Sequence, residues 1–115
     1  MNIKRQGPRY QTDAGAKIIG VMENYGSLRD IDILGCKVES TMMLDIQQGK
    51  DYQIEIQPET ASKIGNFVIT GEVRWVHTND YSFEIGFILL ASPTGRDFKR
   101  YVDYLSYKPK KDEDV

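Results

Sequence analysis

The chain has 115 residues, 40% of them hydrophobic and 28% charged, which is the size and make-up of one globular domain and excludes wholesale disorder. Fifteen Lys and Arg against 17 Asp and Glu leave a net charge of −2, whereas a general nucleic-acid binder should carry a clear basic excess. A single cysteine, Cys36, and a single histidine, His77, rule out an intrachain disulfide and offer no recognisable catalytic triad or zinc cluster, so neither an enzyme nor a metal site is expected.

No apolar run approaches the roughly 20 residues of a membrane span. Met1-Asn2-Ile3-Lys4-Arg5 leads into Gln6-Gly7-Pro8, not into an apolar core, so no signal peptide is expected and the cytoplasm is the expected location. Residues 1–13 read as an irregular arm, because Gly7-Pro8 interrupts a helix. Lys4, Arg5, Arg9 and Lys17 against the lone acid Asp13 leave the first 17 residues with a local charge of +3.

From Lys17 the pattern turns to strands. Ile18, Ile19, Val21 and Met22 suggest a first strand reaching Tyr25, and Gly26-Ser27 reads as a turn. Leu28 to Ile33 is a second extended segment, and Cys36, Val38 and Ser40 alternate with Lys37 and Glu39 in a third. Tyr52, Ile54 and Ile56 alternate with Gln53, Glu55 and Gln57, a half-buried strand ended by Pro58. Phe67, Ile69, Gly71, Val73 and Trp75 share one face of a fifth strand, Phe67 to His77. Across a turn at Thr78-Asn79-Asp80, Tyr81, Phe83, Ile85, Phe87 and Leu89 share a face of the sixth. Phe98, Tyr101, Val102 and Leu105 then fall at helical spacing, with Thr94 and Asp97 as a capping pair and Pro109 just beyond the end. The expected fold is mainly β: six short antiparallel strands in a small barrel or sandwich, residues 14–107, closed by a C-terminal α-helix and followed by a tail, 108–115.

Two short motifs stand out. Arg5-Gln6-Gly7-Pro8-Arg9 reads R-x-x-x-R, and Asp30-Ile31-Asp32-Ile33-Leu34-Gly35 follows about twenty residues later. Together they resemble the signature of the PilZ family, R-x-x-x-R followed by D/N-x-S-x-x-G. Gly71-Glu72-Val73-Arg74-Trp75, Phe83-Glu84-Ile85-Gly86-Phe87 and the terminal helix are also similar to that family, over roughly residues 4–107. The resemblance implies a split six-stranded β-barrel and a bacterial, non-enzymatic receptor for cyclic di-GMP. It implies that Arg5, Arg9, Asp30, Asp32 and Gly35 bind the ligand, with Gln6, Arg29 and Trp75 as secondary candidates. It further implies an output through an unidentified protein partner, in processes such as motility, adhesion or exopolysaccharide control, from a monomer or weak dimer. A barrel for single-stranded nucleic acid would instead need exposed aromatics interleaved with basic residues, and the strand aromatics here alternate with residues such as Ser82 and Glu84.

The chemistry suits those residues. A guanidinium donates bidentately to guanine O6 and N7, lies flat on a purine, or pairs with a phosphate. A carboxylate only accepts, so Asp30 matches the donor edge of guanine, and Asp30 and Asp32, two apart, should share a strand face. Gly35 allows a close approach to the backbone and equally suits a strand corner. Trp75 reads most simply as barrel core. Asp32 departs from the family's serine. Near a phosphate, its charge would repel by roughly 4 kcal/mol at about 4 Å and an effective dielectric of about 20. It escapes that repulsion by pointing at guanine, by pairing with Arg5, Arg9 or Arg29, or by carrying a raised pKa beside Asp30. The structural explanation for the two acids is turn chemistry or an ion pair with Arg29. If Asp32 instead abolishes binding, the domain is a degenerate one serving protein–protein interaction.

Overall fold

The computed structural model describes residues 9–90 and 95–107. Seven strands and one α-helix follow in chain order, with a 3-10 turn at Thr60–Ser62 between the fifth and sixth strands: β1 (Tyr10–Gln11), β2 (Gly15–Ile18), β3 (Gly26–Ile31), β4 (Gly35–Ser40), β5 (Asp51–Gln57), β6 (Phe67–Thr78), β7 (Phe83–Leu89) and α1 (Arg96–Tyr107). Six of the strands close into an antiparallel barrel in the order β3-β2-β5-β6-β7-β4, with β4 returning to pair with β3. Closure leaves no long free edge around the body of the sheet. The seventh strand, β1, lies within the stretch expected to be an irregular arm. It pairs with the second half of β3, Tyr10 opposite Ile31 and Gln11 opposite Asp30, while the first half of β3 pairs with β2.

The barrel interior follows from period-two alternation. Ile54 and Ile56 of β5, Ile69 and Val73 of β6, and Ile85 and Phe87 of β7 all point inward and are buried. Each such side chain stabilises the fold by roughly 1.5–3 kcal/mol on burial. The amphipathic stripe of α1 buries Phe98, Tyr101 and Leu105 against the same core.

Besides Gly26-Ser27, which begins β3 and is not a turn, three local expectations change. The first strand ends at Ile18, not Tyr25, because Gly20 takes a left-handed φ of 84°. The amides of Val21 and Met22 then both donate back to the Ile18 carbonyl, at 3.1 and 2.9 Å. Tyr81 belongs to the β6–β7 turn and is 87% exposed; there the Asn79 side chain accepts from the amides of Tyr81 and Ser82, both at 2.8 Å. The third change, at Trp75, remakes the candidate site. The capping role expected of Thr94 and the tail at 108–115 lie outside the described residues.

Candidate ligand site

The site begins with the turn between β3 and β4. Asp32 lies just past the end of β3, so it does not share a strand face with Asp30 as the two-residue spacing suggests. Its Oδ1 accepts from the amides of Leu34, at 2.8 Å, and Gly35, at 2.9 Å. The Asp32 amide donates to the Gly35 carbonyl at 2.9 Å. The carboxylate therefore closes the turn from within, the usual talent of Asp for side-chain-to-backbone bonding, and it is only 5% exposed.

Arg9 comes to this turn along the chain entering β1. Its Nη1 donates to Asp30 Oδ1 at 3.0 Å. Its Nε lies 3.5 Å from Asp32 Oδ2, a charge contact and not a directed hydrogen bond. Lys37 Nζ approaches the other Asp30 oxygen at 4.0 Å. The guanidinium rests over Gly35: a Cβ there would lie 3.2 Å from Arg9 Nη2 and 2.5 Å from the Phe87 carbonyl oxygen. Glycine at this corner is thus required by sterics on both sides. The two acids and the glycine of the second motif converge on the second arginine of the first. Beneath them, burial pushes the Cys36 thiol up to about 12; Arg9 opposes that rise and Asp30 and Asp32 add to it.

The remaining wall comes from β6 and β7. The register of this pair slips between Val73 and Trp75, so that Val73 faces Phe87 and Trp75 faces Gly86. One extra residue, Arg74, turns every later side chain to the opposite face. Trp75 is therefore not barrel core. It is 42% exposed, and its indole lies across Gly86, where any Cβ would fall inside the ring. A cleft of about 230 Å³ results, lined among others by Arg9, Leu34, Arg74, Trp75 and Gly86. It offers two guanidinium groups and a flat aromatic seated on the Gly86 backbone.

With that geometry in hand, the comparisons with known proteins are decisive for the family. The PilZ domain family model matches residues 3–105. The chain belongs to the PilZ family. No curated protein matches this PilZ domain significantly in sequence. Among solved structures, the Bacillus subtilis inhibitor of motility, MotI/DgrA, matches with a TM-score of 0.65 at 14% identity, over 90% of this chain and 50% of that one. The PilZ domain described here thus spans about half the length of that neighbour, and the likeness is one of fold. PilZ domains are generally receptor or adaptor modules and not enzymes, and no enzyme family is indicated. No helix among the described residues is long and apolar enough to cross a membrane.

Of the candidates from sequence, Arg9, Asp30, Asp32 and Gly35 meet at one point, and Trp75 shares the cleft with Arg9. Arg5 and Gln6 lie outside the described residues. Arg29 does not pair with the acids of the turn; its Nε lies 3.5 Å from Glu39 on β4. Sequence reasoning missed Arg74, whose place in the cleft depends on the slip in β6. The available signal was Gly86: a glycine inside a strand marks a spot where something lies close to the backbone.

Proposed function

We propose that this PilZ domain is a non-enzymatic receptor for cyclic di-GMP that regulates a protein partner through its N-terminal arm. One observation carries the reading: Arg9, Asp30, Asp32 and Gly35 cluster beside Trp75 and Arg74. A cyclic dinucleotide needs donors for its guanines and phosphates, acceptors for the guanine N1–H and amine, and a flat surface for a base. Arg9 and Arg74 supply the first, Asp30 the second and Trp75 the third. Arg5, with Gln6 beside it, would add a second guanidinium from the arm.

The departure at Asp32 fits this reading. Its charge is spent on two backbone amides and on Arg9, which is the pairing escape open to it. It stands in for serine as the acceptor that closes the turn, and it does not face a phosphate unpaired. The competing reading, a degenerate domain that only docks proteins, would require Asp32 to repel the ligand. Isothermal titration with cyclic di-GMP tests the proposal. Binding in the micromolar range or tighter is expected, falling at least tenfold in Arg9→Ala, about 1.4 kcal/mol. No heat at high ligand concentration overturns it.

A further inference from the structure

The barrel is closed everywhere but at one corner. Strand β6 is 12 residues long, and its pairing with β5 stops at Glu72 opposite Asp51. Val73 still bonds with the segment entering β5, through the Gly49 amide and the Lys50 carbonyl. Beyond it, Arg74 is the bulged residue, and Trp75 to Thr78 pair on one side only, with β7. The other side of β7 is covered by β4 through Ser40 opposite Phe83. Among the described residues, no strand pairs with the outer edge of residues 74–78, and all five are exposed.

A bare strand edge is a template for another strand, and natural proteins blunt such edges with proline, lysine, bulges or cover. This edge reads Arg-Trp-Val-His-Thr. It has no proline and no lysine, and Trp, Val and Thr favour extended pairing. Its one bulge is at Arg74, the first residue of the overhang, and Trp75 to Thr78 carry none. The Trp75 indole lies flat over Gly86 on the sheet's own surface, leaving the edge open.

We infer that residues 74–78 are the pairing edge of a two-fold homodimer, in which β6 of one copy lies antiparallel to β6 of a second. Using the whole overhang places Val76 opposite Val76, Trp75 opposite His77 of the second copy, and Arg74 opposite Thr78 of the second copy. No like charges face each other, and an aromatic meets an imidazole on the outer face. That self-complementarity is what an isologous interface requires and is why a second copy is chosen over an unrelated peptide. Main-chain hydrogen bonds would supply the affinity and cross-strand pairs the register. Because Arg74 and Trp75 also line the ligand cleft, the two clefts would flank the dimer axis on one outer face. The inference itself does not depend on the ligand.

Sedimentation velocity over a concentration series, without nucleotide, tests it. The wild-type chain should associate reversibly to a dimer. Val76→Lys and Val76→Glu each place like charges opposite one another at the axis and should weaken dimerisation roughly tenfold or more. An equimolar mixture of the two variants should restore it, which a folding defect could not do. A wild-type chain that stays monomeric into the millimolar range, or Val76→Lys dimerising as well as wild type, overturns the proposal. So does a mixture no better than its components. Binding of an extended heterologous peptide at this edge by a monomeric wild type would assign the edge to a different partner and overturn it too.

Discussion

The same short stretch of chain, residues 9–12, is held at its two ends by different kinds of contact. At Arg9 the hold is ionic and only partly exposed: the Arg9 and Asp30 side chains are 24% and 19% exposed. At Thr12 it is hydrogen bonding and packing. The Thr12 hydroxyl donates to the Leu28 carbonyl at 2.6 Å and accepts from the Ala14 amide at 2.9 Å. The Thr12 side chain also tempers the raised pKa of Tyr101. Tyr101 is fully buried, packs on Phe67 at 5.9 Å between ring centres, and donates to Glu59 at 2.5 Å. Burial, then the bond to Glu59, raises its pKa. A partly exposed ion pair can trade its partner for a ligand's charges; a buried aromatic does not exchange. One end of the segment is built to change partners and the other to stay.

Breaking the permanent end should have the largest effect. Tyr101→Ala should cost about 3–5 kcal/mol by urea denaturation, as an aromatic deleted from a core. Tyr101→Phe, which loses only the hydroxyl bond, should cost about 1 kcal/mol. A loss below about 1 kcal/mol for the alanine variant would contradict the contrast.

The floor of the exchangeable end is nevertheless dry, and alkaline pH exposes that. The Cys36 thiol ionises at its ordinary value of 9.0 when unfolded but only at about 12 when folded. Above 9 the native state therefore holds a proton that the unfolded state has lost. Its contribution is fully present below pH 9 and is lost as pH rises towards 12, by about 1.4 kcal/mol per unit. Cys36→Ala should flatten the stability–pH curve over that window, by about 2–3 kcal/mol at pH 11 compared with wild type; an unchanged slope would place the thiol in water. Smaller again, Gly35→Ala should cost about 1–3 kcal/mol, since its methyl group would press on the Phe87 carbonyl and on the Arg9 guanidinium. Least of all, Arg9→Ala should cost no more than about 1 kcal/mol of stability, because Asp32 keeps its two amide donors. Its effect should fall on ligand binding.

Much of this was legible in the sequence wherever one face of an element is buried. The alternation from Tyr52 to Gln57 and the helical spacing of Phe98, Tyr101 and Leu105 leave a single solution each. The motif residues Arg9, Asp30 and Gly35 were legible by resemblance. What escaped were features set by pairing at a distance. The slip at Arg74 turns Trp75 outward, yet nothing in Gly71 to Trp75 breaks the alternation. The strand at Tyr10–Gln11 exists because β2 leaves the second half of β3 uncovered on one side, which local sequence does not reveal. Asp32 reads as a second acid on a strand face, but its short side chain finds the amides of Leu34 and Gly35 first and ends the strand.

The most direct test of the central claim is a titration of cyclic di-GMP into Asp32→Ser beside the wild type. If the Asp32 carboxylate is consumed by the turn and by Arg9, both proteins should bind, with affinities within about tenfold, or 1.4 kcal/mol. A wild type that gives no heat, beside a serine variant that binds tightly, would contradict it.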